Sequence, residues 1–237
     1  LAALLLLLSG CAAVPPAADA SGKTGLSADQ RFERHVADVL EQMWQEFPEN
    51  ATRAGNYKYA DRMSVPDAAR RARSVAFYER QLASLAAFDP AALNASNRVD
   101  LVLMKNRFES SLWSITTFKP WQWQPSSYNV GNDIGLLLNG SYAPLETRLR
   151  HILSRLENVP AYYAAAKASI DDPTLEHTSL ALVQNRGTLG VFGDSLVQKV
   201  DGSGLSAAEK TLFKTRLAGA RAAVQDYIVF LTTLETR

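Results

Sequence analysis

Apolar residues recur in this chain at steps of three and four, and no stretch alternates apolar with polar residues in the two-residue rhythm of a strand. A chain patterned in this way buries its apolar surface by packing the stripes of helices together. The fold class is therefore all-α: a helical bundle or array of about six helices, interrupted by one aromatic-rich irregular connection.

The boundaries follow from caps and breakers. Ser27-Ala28-Asp29-Gln30 has the form of a capping box, with Ser27 as N-cap and Gln30 able to reach back to it. Behind it, Phe32, Val36, Val39, Leu40, Met43 and Phe47 mark one face of a first helix, which Pro48 ends. Residues 50–63 read as a loop containing Gly55, Tyr57 and Tyr59. A second helix is expected from about residue 66 to 87 on Val75, Tyr78, Leu82 and Leu85, stopped by Asp89-Pro90. A third spans about residues 96–118, with Leu101, Met104, Phe108, Leu112 and Ile115 on its inner face. Pro144 suits the first turn of a fourth, which runs to about residue 169 with a bend at Pro160. Pro173 opens a fifth, over about residues 174–199. After the turn Asp201-Gly202-Ser203-Gly204, a second capping box, Ser206 to Glu209, starts a sixth helix carrying Phe213, Leu217, Val224, Tyr227, Ile228, Leu231 and Leu234.

Between residues 119 and 139 the pattern changes. Trp121, Trp123 and Tyr128 surround Pro120 and Pro125, and Gly131 and Gly135 follow. Proline at this density excludes regular helix, so an ordered connection is expected, with a short helix near residues 134–138. Trp121, Trp123 and Tyr128 are the candidate ligand contacts, because such side chains join a large apolar area to a polar handle. Anchoring the irregular segment to the helical body accounts for them equally well.

The front of the chain carries a different signal. Residues 1–8 are an uncharged run, nearly all Leu and Ala, far shorter than the roughly 20 helical residues that span a bilayer. The run has the length of a signal-peptide core. Leu8-Ser9-Gly10-Cys11 resembles the lipobox of bacterial lipoproteins, whose cysteine is acylated and becomes the new N-terminus. The expected layout is a signal peptide over 1–10, a flexible linker over 11–26 behind acylated Cys11, and a helical domain over 27–237. That domain reads as truncated, because its last helix keeps its apolar pattern to the end. The absence of an initiator Met and of a basic leader segment makes residues at the front missing as well. Cys11 is the only cysteine, so no internal disulfide is possible. The partner implied is a lipid bilayer, and the location the cell envelope, on the outer membrane facing the periplasm. Ala12 and Ala13 lack the acidic residue that favours inner-membrane retention in enteric bacteria. The glycosylation sequons at Asn50, Asn94 and Asn139 are coincidental in such a chain.

Chemistry is sparse. Lys and Arg number 25 against 24 Asp and Glu, a net charge of +1, which excludes nucleic-acid binding by bulk electrostatics. His35, His151 and His177 are isolated, and none belongs to a His-Glu-x-x-His pair that would set two imidazoles on one helix face for zinc. There is no nucleophile elbow and no phosphate loop. Gly187, Gly190 and Gly193 lie in a helical context, where small residues admit a neighbouring helix or a local bend. Asp171-Asp172 reads as a solvated turn next to a helix N-terminus. No residue is assigned a catalytic, cofactor-binding or metal-ligating role.

Several stretches together resemble a known family. Pro48-Glu49-Asn50-Ala51-Thr52-Arg53-Ala54-Gly55 and then Tyr59-Ala60-Asp61-Arg62 resemble the opening signature of the bacterial "domain of unknown function 885" family. Trp121 with Pro125 and Tyr128 continues it, followed by Tyr142-Ala143-Pro144-Leu145-Glu146-Thr147-Arg148-Leu149. Arg155-Leu156-Glu157-Asn158-Val159-Pro160-Ala161-Tyr162 and Asp171-Asp172-Pro173 complete the order. The resemblance implies an α-helical, exported lipoprotein, longer than this sequence and similar to zinc metallopeptidases. In that family a His-Glu-x-x-Pro-Gly-His type motif lies in the C-terminal half, where a metal-activated water would attack the carbonyl of a peptide substrate with a Glu as general base. This sequence stops before such a motif, so zinc is implied for the full-length family and for no residue here. The alternative is a non-enzymatic envelope lipoprotein whose helical bundle binds a ligand or partner.

Overall fold

Residues 25–235 are described by the computed structural model, and every regular element among them is helical. Helix α1 (Ala28–Glu46) opens on the expected capping box: Ser27 Oγ accepts from Gln30 N at 3.1 Å, and Gln30 Oε1 accepts from Ser27 N at 2.9 Å. Pro48 ends α1 and at once begins α2 (Pro48–Arg53), because a residue without an N–H fits a first helical turn. This short helix replaces the first part of the loop expected over 50–63; six residues are too few to display a periodic face. A 3-10 turn, Tyr57–Tyr59, follows.

Helix α3 (Ala68–Leu85) is capped by the Asp67 carboxylate, which accepts from Arg70 N at 2.6 Å. Helix α4 (Ala95–Trp113) is capped by Asn94 and runs into a π-helical turn, Ser114–Phe118, that Lys119 ends with φ 50. The aromatic connection contains α5 (Pro120–Trp123), a 3-10 turn at Pro125–Ser127 and α6 (Gly131–Asn139). Where one bent helix was expected there are two, α7 (Leu145–Leu156) and α8 (Val159–Ser169), with Pro160 in the first turn of α8. The fifth expected helix is likewise divided, into α9 (Leu175–Val191) and α10 (Asp194–Asp201). Helix α11 (Ala207–Glu235) starts on the second capping box, with Ser206 N donating to Glu209 Oε2 at 2.8 Å and Glu209 N to Ser206 Oγ at 3.2 Å. The about six helices read from periodicity thus resolve into eleven α-helical segments, because prolines and one glycine cut the longer runs.

The helices pack around two apolar clusters. Helices α1, α3 and α4 enclose Phe32, Val39, Phe77, Leu85, Leu101 and Phe108. Helices α6 to α11 enclose a larger one built on Ile134, Leu149, Ile152, Tyr163, Leu182, Phe213, Tyr227 and Leu231. Each such side chain contributes about 1.5–3 kcal/mol on burial. Polar groups within the second cluster find partners in the irregular connection. Asn185, fully buried, donates from Nδ2 to Ala181 O at 2.9 Å and Tyr128 O at 3.2 Å, and accepts from Tyr163 OH at 2.6 Å. Tyr227 OH donates to Pro125 O at 3.1 Å. These bonds fasten the irregular connection to the core, where unmatched amides would be costly.

The three glycines of α9 and its end differ in what they face. No atom lies within 4 Å of where a Cβ would stand on Gly187 or Gly190, so the close helix approach expected of them is not present. At Gly193 a Cβ would lie 2.8 Å from Gly190 O, and this is where α9 gives way to α10. Gly187→Ala and Gly190→Ala are each expected to raise stability by about 0.5–1 kcal/mol, since helical Gly loses more chain entropy than Ala. Gly193→Ala is expected to lower it by about 1–3 kcal/mol through the clash with backbone. Urea unfolding midpoints of the three variants check both signs.

Candidate functional site

The short helix α2 lies where the two clusters meet. Glu49 and Arg53, four residues apart, share one of its faces. Arg53 reaches α6 and forms a two-pronged pair with Asp133, Nε to Oδ1 at 2.9 Å and Nη2 to Oδ2 at 2.8 Å. Its remaining nitrogen donates to Asn50 Oδ1 at 3.0 Å. Glu49 accepts from the backbone N of Ser64 and, at 3.2 Å, from Ser64 Oγ. From α3, Arg70 pairs with the Glu46 carboxylate and donates to Glu46 O.

Opposite stands Arg155 of α7, 1% exposed and the largest fully buried side chain. Its Nε donates to Ala60 O at 2.6 Å and its Nη2 to Thr52 Oγ1 at 2.8 Å. Thr52 in turn donates to Pro48 O at 3.0 Å. Nη1 of Arg155 has no hydrogen-bond partner. While Arg53 and Arg70 are paired with carboxylates, Arg155 and Glu49 have neutral partners only.

These residues line a cavity of about 230 Å³. Its charged wall is Glu49, Arg53, Arg70, Asp133 and Arg155, and its apolar wall includes Phe47, Met63, Val130 and Ile134. Burial pushes the Asp133 carboxyl above the ordinary range, with the charges of Arg53 and Arg155 pulling against it. Burial likewise lowers the Arg155 guanidinium, opposed by Glu49 and Asp133. It stays charged at neutral pH, as arginine in proteins does. The Tyr162 phenol, also on the wall, is raised by burial and remains a neutral donor.

The residues singled out by sequence lie elsewhere. Trp121 and Tyr128 share an open groove of about 290 Å³ with Arg70 and Arg71, and the Arg71 guanidinium lies 4.0 Å from the Trp121 ring centre. Trp123 does not line that groove; it stands against Phe118 and His177. All three polar handles reach backbone carbonyls: Trp121 Nε1 to Ile115 O at 3.1 Å, Trp123 Nε1 to Phe118 O at 3.0 Å, and Tyr128 OH to Trp121 O at 2.7 Å. Tyr128 is buried in the larger cluster. The three histidines remain apart, each facing one hydroxyl: His35 with Ser84, His151 with Tyr142 and His177 with Ser126, all at 3.0 Å. Among the described residues no group of three or more His, Cys, Asp or Glu side chains is placed to hold a metal ion. Asp171 and Asp172 are exposed at their turn. Cys11 lies outside the described residues.

Sequence reasoning passed over Arg155, Glu49, Arg53 and Asp133. A signal for Arg155 was present: it stands three residues after Ile152 and four before Val159, in the register of a buried helix face. A charge in that register must find buried partners. Glu49 and Arg53 lie in the first stretch of the family resemblance, but nothing local marks Asp133, which meets Arg53 across 80 residues of chain.

One titrating group adjoins the cavity wall. His151 faces Tyr142 OH, and Tyr142 stacks on Tyr57 with ring centres 3.7 Å apart. Burial pushes the imidazole below its ordinary value of 6.5; Arg155 adds to the shift and Asp61 opposes it. A histidine lowered in this way favours the neutral form, so its contribution is complete above the unfolded value and is lost as pH falls below 6.5. The urea midpoint of the protein is expected to drop between about pH 7.5 and 5, and that drop is expected to shrink in His151→Gln.

Similarity to known proteins agrees with this geometry. A solved structure from Shewanella oneidensis, described as a "putative lipoprotein of unknown function", shares the fold at a TM-score of 0.85 with 41% sequence identity. The similarity covers 90% of this chain and 38% of that one, so this chain spans well under half the length of that relative. No curated protein matches the chain. Residues 48–237 match the family described as "Bacterial protein of unknown function (DUF885)". That match starts at the proline that opens α2 and takes in every residue that lines the cavity except Phe47, and on it the chain belongs to the DUF885 family of bacterial proteins.

Proposed function

We propose that this chain is the N-terminal helical portion of an exported, lipid-anchored protein with peptidase activity, and that it walls the substrate cleft without supplying the metal centre. The observation that carries the first part is the distribution of apolar residues on α4, α9 and α11. Helix α4 buries Leu101 and Phe108, yet also exposes Val102 by 65% and Val99 and Leu103 by more than half. Val183 of α9 is 66% exposed, with Leu175 and Leu180 beside it, and Val229 of α11 is 55% exposed. Helices apolar on both sides belong in the interior of a larger body. The greater length of the Shewanella oneidensis relative supports the same reading. The peptidase activity rests on the family resemblance, and none of this chain's residues is given a step in it.

The anchor is Cys11, acylated at the lipobox, holding the protein at the outer membrane on its periplasmic side. Support comes from the lipoprotein description of the relative. Among the described residues no helix is long and apolar enough to cross a membrane. A specific observation also favours a second reading, a ligand-binding envelope lipoprotein without catalysis: a cavity with charged walls is formed wholly by this chain.

Two measurements test these statements. Cells expressing the protein with its leader are expected to incorporate labelled palmitate and to carry the protein in the membrane fraction, and Cys11→Ala is expected to abolish both. Unaltered labelling of the variant sinks the anchor. For activity, the full-length Shewanella oneidensis relative is expected to hydrolyse short peptides in the presence of zinc and to lose that turnover on chelation. The present chain is expected to be inactive with or without zinc. A relative with no turnover favours the binding protein, and zinc-dependent turnover by this chain overturns the placement of the chemistry elsewhere.

A further inference from the structure

The cavity between α2, α6 and α7 contains one charge of each sign without an ionic partner. Arg155 uses Nε and Nη2 on Ala60 O and Thr52 Oγ1 and keeps two N–H groups on Nη1 with no acceptor. A buried guanidinium N–H left in that state is unfavourable unless something accepts it. Glu49 holds only the amide and hydroxyl of Ser64, so its carboxylate retains free lone pairs. The other charges on the wall are already matched, Arg53 with Asp133 and Arg70 with Glu46. Phe47, Met63, Val130 and Ile134 make much of the remaining wall apolar, and about 230 Å³ is room for a molecule of amino-acid to small-peptide size.

These features select among ligands. With Arg53 and Arg70 already engaged by carboxylates, a phosphate or other dianion would find only Arg155 free and would meet the Glu49 carboxylate, and a simple cation would meet Arg155; each places like charges together in a partly desolvated site. A neutral apolar molecule would leave both unpartnered charges as they are. We propose that the cavity binds a zwitterion with an apolar side chain, an amino acid or a small peptide, whose carboxylate accepts from Nη1 of Arg155 and whose ammonium donates to Glu49. Arginine suits the first contact because its planar fork matches a carboxylate and its charge does not titrate away. The proposal does not depend on peptidase activity in any longer protein, since it concerns binding by this chain alone.

Isothermal titration calorimetry of the purified protein tests it with four probes. L-Leucine or L-leucyl-L-leucine is expected to bind at one saturable site, and whichever binds more tightly identifies a free amino acid or a peptide as the source. N-acetyl-L-leucine, which lacks the ammonium, and L-leucinamide, which lacks the carboxylate, are each expected to bind at least about tenfold more weakly, the loss of one charged contact. Glu49→Gln is expected to weaken L-leucine by a similar factor and to leave N-acetyl-L-leucine unchanged. Removing Arg155 risks unfolding, so the cavity is blocked instead by Ser127→Trp, at an exposed position on its rim. That variant is expected to keep the wild-type unfolding midpoint and to lose binding. The proposal fails if neither zwitterion binds at about 10 mM, a concentration that would detect even millimolar affinity. It fails equally if the four probes bind alike, or if Ser127→Trp binds as the wild type does.

Discussion

The hydrogen bonds of Arg155 fasten the segment between α1 and α3 to the larger cluster. Its guanidinium leaves α7 at a position that the register of Ile152 and Leu156 assigns to the core, and crosses to Ala60 and Thr52. The segment between α1 and α3 has no long helix of its own to bury, and its main-chain groups must find partners one by one. Arg155 answers for Ala60 O, and Asn158, one turn on, donates to Met63 O at 3.1 Å. A leucine at 155 would pack beside its neighbours, but Ala60 O would then face a core with no donor. The charge is tolerated because Glu49 and Asp133 stand close enough to act on it without pairing directly.

Arginine plays the same part elsewhere. Arg71 donates to Pro66 O at 2.9 Å and to Ser169 Oγ at 3.1 Å while its guanidinium covers Trp121. Arg53 joins α2 to α6, and Arg148 donates to Leu137 O and Leu138 O at the C-terminal end of α6, where helical carbonyls lack partners. Arg53, Arg71 and Arg155 thus each bond across from one helix to a segment distant in the chain. Arg53 and Arg155 line the charged cavity, and Arg71 lines the groove at Trp121.

What the sequence discloses depends on range. Both capping boxes are local, four residues each, and both form with their two reciprocal bonds. Periodicity located the long helices for the same reason, while α2 escaped because it is shorter than two turns. Pro160 was legible as a disturbance but not as a full break, since proline in a first turn is compatible with either a bend or a fresh start. Of the two readings of the three glycines, a close helix approach or a local bend, the bend occurs at Gly193, where a Cβ would meet Gly190 O. The charged cavity was the least legible. Arg53 and Asp133 are 80 residues apart, and Arg155 and Thr52 are 103 apart. No window of sequence contains such pairs.

The aromatic residues show the limit of a criterion based on residue type. An apolar body with a polar handle suits binding, but it suits anchoring as well, and in Trp121, Trp123 and Tyr128 every handle is already taken by a carbonyl of the chain. Buried charge separates the two cases better, because an ion inside a protein must be accounted for atom by atom. Arg155 fails that accounting at one nitrogen, and Arg155 is a residue of the cavity lining. Several of the stretches that carry the family resemblance contribute to this cavity, while Trp121 and Tyr128 line the neighbouring groove and Asp171 and Asp172 are exposed. Glu49 and Arg53 come from the first and Ala60 from the second, and Arg155, Asn158 and Tyr162 come from the stretch over 155–162. In the chain these are separate short motifs of little specificity. In the fold Glu49, Arg53, Arg155 and Tyr162 line one cavity, and Ala60 and Thr52 hold the Arg155 guanidinium beside it.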